Sequence, residues 1–514
     1  MQHQLRTFNQ LLFAMLGLAF VLIMVALDQT VIGTALPTMV AELNGFDLYA
    51  WVGTSYLLSS VIAVPIFGKL GDEHGRKVFV IAAIIIFTLA SILCGLAQSM
   101  MQLVIARGLQ GIGGGMIVAT SFASVPDLFP DAHERLRWQV ILSTAFGLAS
   151  AVGPYLGGYL TEYWGWRWVF FVNLPVGLVS LFFVWRHLPK IRHSEHPPSP
   201  LDWLGSVLLA LMLGSLQILL EWLPLNKPIQ ALLELAILAV VSFIGLLWWE
   251  KRAKNPVVPL EMFKNAKLRP LFGISLLMGF SMFGIMYYSP LMFQGGFGLS
   301  PNQAGLLITP LAVFITVGSI LNGRIIVRIK RPQYLLYLGT SLFALSVLML
   351  TQISNASSHY LIFLIMSLGG LGLGFVLPNL TILGQAGAPR HQLGVATAMM
   401  QSIRMVGSML GTALIGILIT HVYSHEVHKS LELVHQDSWD SWLSGPQILV
   451  SEHLSNRFLI AASKIGVDGV ELLNQARHDL VQTIQLSQWM ILVVILLTFM
   501  FVKSLSELKL ERQR

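Results

Sequence analysis

Asp28 stands inside an apolar run that extends from about residue 11 to residue 36. A carboxylate at such a depth in hydrocarbon is costly, so it faces a partner or a watery cavity and marks a functional site by default. Its chemistry would be to take up a proton and give it back. Arg107, near the start of another apolar run, is its natural partner by charge. A cation beside a carboxylate sets how readily the proton leaves. The plainer readings are a structural ion pair for Asp28 and an interfacial anchor, snorkelling outward, for Arg107.

Four further groups stand out. The stretch Gly68-Lys69-Leu70-Gly71-Asp72-Glu73-His74-Gly75-Arg76-Lys77 reads as a tight loop, in which Asp72 and Arg76 are spaced to pair. Its plainer reading is a solvated turn whose ion pair is worth under about 1 kcal/mol. Gly147, Gly153, Pro154, Gly157 and Gly158 share one apolar run, where small residues let helices approach closely and proline can kink. Met278, Met282 and Met286 recur at i, i+4 and i+8, with Phe283, Tyr287 and Tyr288 nearby. Polarizable thioethers and aromatic faces would suit lipophilic cations, although packing or lipid contact explains methionines equally well. His421, His425 and His428 fall on one helical face. No carboxylate or cysteine completes an evident ligand set, so a solvated, partly helical loop is preferred to a metal site.

These residues need a scaffold, and composition says which kind. Of 514 residues, 55% are hydrophobic and only 11% charged, against about 25% in soluble domains. The mean hydropathy is +0.71. A polytopic membrane protein follows, and its continuous apolar runs mark helices rather than an alternating barrel. A single cysteine, Cys94, excludes an internal disulfide.

A bilayer core about 30 Å thick needs roughly 20 apolar residues of helix. Fourteen such runs are read, at approximately 11–36, 50–67, 78–97, 102–125, 138–160, 168–185, 203–223, 230–249, 270–293, 303–327, 334–353, 360–384, 393–420 and 486–502. An even number places both termini on one side. With that side inside, 24 of the 32 Lys and Arg residues fall in inner segments, five in outer ones and three in or at the ends of spans. The bias meets the positive-inside rule, so the net charge of +7 reports orientation and needs no nucleic-acid partner. The first run is too long for a signal h-region, and an uncleaved span is expected.

The polar stretches His193–Pro200 and Glu250–Arg269 bracket two runs, which gives a 6 + 2 + 6 layout. The sixes echo each other weakly: Gly45-Phe46-Asp47-Leu48 precedes the second run and Gly296-Phe297-Gly298-Leu299 the tenth. Two parallel six-helix halves form a transporter plan with its site between them. The expected units are 1–192, a six-helix bundle; 193–269, a linker with two additional helices; and 270–514, a second bundle carrying an outer loop at 421–485.

Several motifs carry a family resemblance over nearly the whole chain. The 68–77 loop resembles the loop signature of the major facilitator superfamily, and Arg107-Gly108-Leu109-Gln110-Gly111-Ile112-Gly113 resembles its fourth-span motif. The run from Gly147 through Gly153-Pro154-Tyr155-Leu156-Gly157-Gly158 resembles the motif of its proton-coupled antiporters. Leu27-Asp28-Gln29-Thr30-Val31-Ile32-Gly33-Thr34-Ala35-Leu36-Pro37 and Trp166-Arg167-Trp168-Val169-Phe170-Phe171-Val172-Asn173-Leu174-Pro175-Val176-Gly177 resemble the fourteen-span drug:proton antiporter branch. Asp202-Trp203-Leu204-Gly205 and the stretch from Gln294 to Pro310 fit that branch too. The chain departs from it at Gly33, where many members carry Asn, and in lacking the loop's Asp and Arg pair in its second half.

The resemblance implies an all-α major facilitator fold of fourteen transmembrane helices. It sets the fourth span beside the first, with Arg107 near Asp28 for proton coupling. It also gathers Asp72, Arg76 and Asp127, with Gly68 and Gly75, into an inner-face gate. The implied activity is proton-driven export of lipophilic, often cationic, drugs or dyes across a bacterial inner membrane. The implied partners are those substrates, protons and the lipid bilayer, and the 421–485 loop offers a surface to a periplasmic adaptor protein. No cofactor or metal is expected. One rival is a dedicated exporter of a single siderophore, toxin or amino acid; another is a non-transporting sensor or scaffold. An enzyme is not expected, for no nucleophile–base set, nucleotide loop or metal triad is found.

Overall fold

The computed structural model describes residues 8–129, 132–190, 202–223, 227–253, 256–326, 328–329, 331–388, 393–433 and 436–505. The polar linker His193–Pro200 and the Asp72 side chain lie outside the described residues. Backbone groups in hydrocarbon must be satisfied within their own segment, and helices do this. Among the described residues fourteen long helices result: α1 Phe8–Leu43, α2 Tyr49–His74, α3 Arg76–Gly95, α4 Met100–Leu128, α5 Ala132–Tyr163, α6 Asn173–His187 and α7 Trp203–Trp222. They continue as α8 Ile229–Glu250, α9 Leu268–Leu291, α10 Pro301–Ile326, α11 Gln333–Leu350, α12 His359–Gly387, α13 Leu393–Leu433 and α14 Gly469–Lys503. A short turn, Trp168–Phe171, leads into α6, and a π turn, Met292–Gly296, extends α9. Among the described residues, 13 helices are long and apolar enough to cross a membrane. α5 completes the set of fourteen as a 32-residue helix packed between α1 and α10.

The weak echo in the sequence is strong in the packing. In the first half, α1 packs on α5 and α6, α4 on α2 and α3, and α3 on α6. In the second, α9 packs on α13 and α14, α12 on α10 and α11, and α11 on α14. Each pairing recurs eight helices later. The halves meet along two equivalent seams, α5 with α10 and α13 with α2, and also where α1 crosses α9. The additional helices α7 and α8 pack on each other, and α7 lies against both α2 and α13, over one seam.

Two helices run past the spans read from apolarity. α13 has 41 residues and α14 has 35, about 60 and 52 Å at 1.5 Å per residue, well beyond a core of about 30 Å. Much of the segment expected as an outer loop at 421–485 is therefore continuous helix. It closes with shorter helices, among them Gln447–Val450 and Glu452–Lys464, around buried Tyr423, Trp439, Leu443 and Phe458. The Tyr423 hydroxyl donates to the Leu443 carbonyl at 2.9 Å, and the Trp439 and Phe458 rings meet edge-on at 5.1 Å. Gln447–Val450 touches α1 and the π turn, so this cap bridges both halves at the face opposite the termini.

Candidate functional site

α1 runs on to Leu43, so Asp28 lies about 22 Å from that end at 1.5 Å per residue, deeper than the apolar run alone implies. Arg107 Nη1 meets Asp28 Oδ2 at 2.7 Å, and both side chains are fully buried. The expected pair is thus brought together, with the guanidinium turned inward rather than snorkelling. Its Nε donates to the Val52 carbonyl at 3.1 Å, and its plane lies over the Tyr56 ring, 4.5 Å from the centroid.

A shell of neutral polar groups surrounds the pair. Gln110, one helical turn beyond Arg107, accepts from Arg107 Nη1 at 2.7 Å and donates to Asp28 Oδ1 at 2.7 Å. Asn173, at the start of α6, donates to Asp28 Oδ1 at 3.4 Å and to Ser91 Oγ at 3.0 Å. Cys94 Sγ lies 3.5 Å from Gln110 Oε1. The network joins α1, α3, α4 and α6, so a change of charge at Asp28 is felt by four helices. Gln110 and Asn173 were not singled out in the sequence. Their signal was positional, since Gln110 follows Arg107 by three residues and Asn173 sits in the 166–177 motif.

The glycines of α5 mark where it is pressed from both sides. Gly153 and Gly157 face Thr30, Val31 and Thr34 of α1, while Gly158 lies on the Pro301 carbonyl and Gly305 of α10 lies on the Pro154 carbonyl. The Thr34 hydroxyl donates to the Pro154 carbonyl at 3.1 Å, and the Thr316 hydroxyl to the Gly147 carbonyl at 3.2 Å. α5 stays continuous through Pro154. Gly33 plays a comparable part: a Cβ there would stand 2.7 Å from the Met286 carbonyl of α9. This chain uses that position for close helix contact.

Polar bonds between the halves gather on the side away from the termini. Gln294 of the π turn donates to the Thr34 carbonyl at 2.7 Å and accepts from the Thr38 hydroxyl at 3.2 Å. The Tyr49 hydroxyl donates to the Tyr287 carbonyl at 2.8 Å, and the Asn302 amide to Glu162 at 3.0 Å. At the opposite face, Arg76 Nε lies 3.3 Å from Asp127 Oδ2, and Gly75 turns the chain between α2 and α3 with φ of 90°. Gly68 lies beside Ala119 of α4 with ordinary clearance.

The candidate substrate residues divide. Met278 is fully buried and Met282 partly so. Tyr287 packs its ring on Gly53 of α2, while the Tyr288 hydroxyl donates to the Thr412 carbonyl at 2.7 Å. The two tyrosines therefore face different neighbours. Of the three histidines, His428 lies 3.3 Å from Glu432 and 3.7 Å from Asp440, and the described residues hold no cluster of three metal-binding side chains.

Two sets of six helices with the same packing pattern, joined by an added pair, define a multi-pass membrane transporter, with the carboxylate of Asp28 buried inside the first set. The chain belongs to the major facilitator superfamily, whose family model matches residues 18–412. It is 35% identical to the Bacillus subtilis multidrug transporter protein MdtP over 78% of this chain and 74% of the relative. It is 32% identical to multidrug resistance protein 3 of the same species, over 81% of each. A Fusarium relative described as an MFS-type efflux pump is 30% identical over 82% of this chain and 75% of its own. Among solved structures, a bacterial homologue of the human lysosomal transporter Spinster, inward-facing and occupied, shares the fold. Its TM-score is 0.70 at 13% identity, covering 99% of this chain and 100% of that one.

Proposed function

We propose that this transporter is a proton-driven antiporter that exports lipophilic, often cationic, compounds across the cytoplasmic membrane by alternating access. The observation that carries the reading is Asp28, fully buried at mid-helix against Arg107 and Gln110. A carboxylate there can exchange one proton for a change of charge that four helices register. Each proton moving down a membrane potential supplies about 2.3 kcal/mol per 100 mV. Protonation from outside weakens the hold of Arg107 and releases substrate; deprotonation inside restores the pair. The bundles 1–192 and 270–514 rock against each other, with 193–269 as the linking pair of helices. Both termini, the Arg76–Asp127 gate and the basic inner segments face the cytoplasm, and the closed contacts at Gln294 and Tyr49 seal the outside. The names of the two Bacillus relatives support drug-like substrates.

Uphill efflux of ethidium from proteoliposomes, driven by an imposed proton gradient and collapsed by an uncoupler, tests this reading. Efflux indifferent to the gradient would overturn it. A second reading, export of one dedicated metabolite, is favoured by a relative described as the transporter of an Aspergillus acurin A biosynthesis cluster. A substrate panel separates the two.

A further inference from the structure

The two additional helices carry a polar site of their own. Gln217 of α7 is fully buried and donates to Thr54 Oγ1 of α2 at 3.1 Å. One turn further on, Glu221 is only 7% exposed, and its Oε1 accepts from Gln217 at 3.0 Å. Among the described residues no Lys, Arg or His pairs with Glu221. A cavity lies beside it in the α2/α13 seam, lined by Asp47, Tyr49, Tyr288, Ile417 and Thr420. Its volume is about 360 Å³, including the part open to the face opposite the termini, and its constricted interior admits about one water.

We propose that Glu221 is a second proton-binding carboxylate, reached by water through the α2/α13 seam, which ties the additional helix pair to the movement of the two halves. A buried carboxylate with no cation beside it is costly while charged, and a proton is the ligand that removes the charge. The charged and titratable groups around it do not take the proton's place. Asp47, on the short turn before α2, is exposed at the mouth. Tyr49 and Tyr288 stack at 5.4 Å, and their hydroxyls donate to the Tyr287 and Thr412 carbonyls. α13 offers only Gly416, Ile417 and Thr420 to the cavity, while His421 and, on α8, Glu234 are exposed. Lys227 stands over the Trp222 ring at 6.0 Å. The opening is too narrow for a drug-sized molecule, so the proton, carried by water, is the fitting ligand.

The seam supplies the gate. α2 and α13 belong to different halves, so parting them widens the cavity and closing them seals Glu221 beneath the tyrosine pair. Only the link to transport rests on the proposed antiport; the proton site stands on its own geometry.

Infrared difference spectroscopy of the full-length protein in lipid nanodiscs, between acidic and alkaline buffer, tests the site. The wild type should show a carboxylic C=O band that disappears as pH rises. The band should be absent in Glu221→Gln, displaced in frequency in Glu221→Asp, and retained in Asp28→Asn. Superimposable wild-type and Glu221→Gln spectra would overturn the proposal, as would a Glu221 band unchanged at every pH. Replacing K⁺ by Na⁺ in the buffer should leave the band where it is; a sodium-dependent shift would make this a metal-cation site and sink the proton assignment. If ethidium efflux ignores the proton gradient while this band still titrates, the antiport reading fails and the site survives.

Discussion

Arg107 meets Asp28 at 2.7 Å with neither side chain exposed, and Gln110 bonds both partners. Removing one member of a buried pair leaves the other charge uncompensated, which costs about 3–5 kcal/mol, whereas the intact pair is weak evidence for stability. Folding alone gives little reason for such a pair, and the proposed antiport would use it as a switch.

Asp28→Asn keeps the size of the side chain and fixes its charge. The variant should insert and purify as a folded protein, with thermal stability lowered because Arg107 loses its counter-charge. Proton release on adding ethidium should vanish, and gradient-driven efflux should fall to the background rate. Arg107→Lys, which keeps the charge but loses the Nη1 that bonds both Asp28 and Gln110 and the Nε that bonds Val52, should retain part of the proton release. Proton release from Asp28→Asn equal to wild type would make Asp28 structural.

The α5/α10 seam should be intolerant of bulk. A methyl at Gly158 would collide with the Pro301 backbone, and one at Gly305 with that of Pro154. Overpacking of this kind costs about 1–3 kcal/mol. Gly158→Ala should therefore push the halves apart on the side away from the termini, increasing the distance between spin labels at Glu162 and Asn302. Unchanged distances with full transport would show that the seam yields freely.

The apolar runs were legible in the sequence because about 20 apolar residues are what a bilayer demands. Where helices stop was not. α13 and α14 run on past the hydrocarbon as amphipathic helices whose apolar stripes pack on each other and on the cap, as at Tyr423 and Leu480. Loss of hydrophobicity marks the edge of the membrane and not the end of a helix. Asp28 and Arg107 were visible since a charge in an apolar run is rare. Gln110, Ser91 and Asn173 were not, since neutral polar residues are common in spans and only the fold shows which of them converge. Arg76 lies against Asp127, 51 positions along the chain; spacing alone could not show this contact, which the family resemblance implied and which arises through α3–α4 packing.

The Arg76–Asp127 contact, at 3.3 Å and partly solvated, should act on rate more than on affinity. Arg76→Ala or Asp127→Asn touches no substrate group, so ethidium binding to purified protein should stay within about twofold. Turnover should fall by an order of magnitude or more, because the contact braces α3 against α4 within the first half and its loss alters how that half exchanges between states. Equal loss of affinity and rate would count against a gate.

Gln294 offers the complementary test on the other face. Its side chain spans the halves, donating to the Thr34 carbonyl and accepting from the Thr38 hydroxyl. Each such bond is worth about 1 kcal/mol net, so Gln294→Ala should shift the balance of states by roughly fivefold to thirtyfold. The shift should run towards opening of the face that carries the 421–485 cap, because the bond exists only while α1 and the π turn are together. Ile417→Cys, in the seam cavity, then becomes an accessibility probe, since Cys94, the native thiol, is fully buried. Labelling of Ile417→Cys by a membrane-impermeant maleimide should be faster in the Gln294→Ala background, and slower again when Gly158 is left unaltered than when both changes are combined. If removing Gln294 leaves the labelling rate unchanged while Gly158→Ala raises it, the seam at α5 sets the equilibrium and the Gln294 bonds merely follow it.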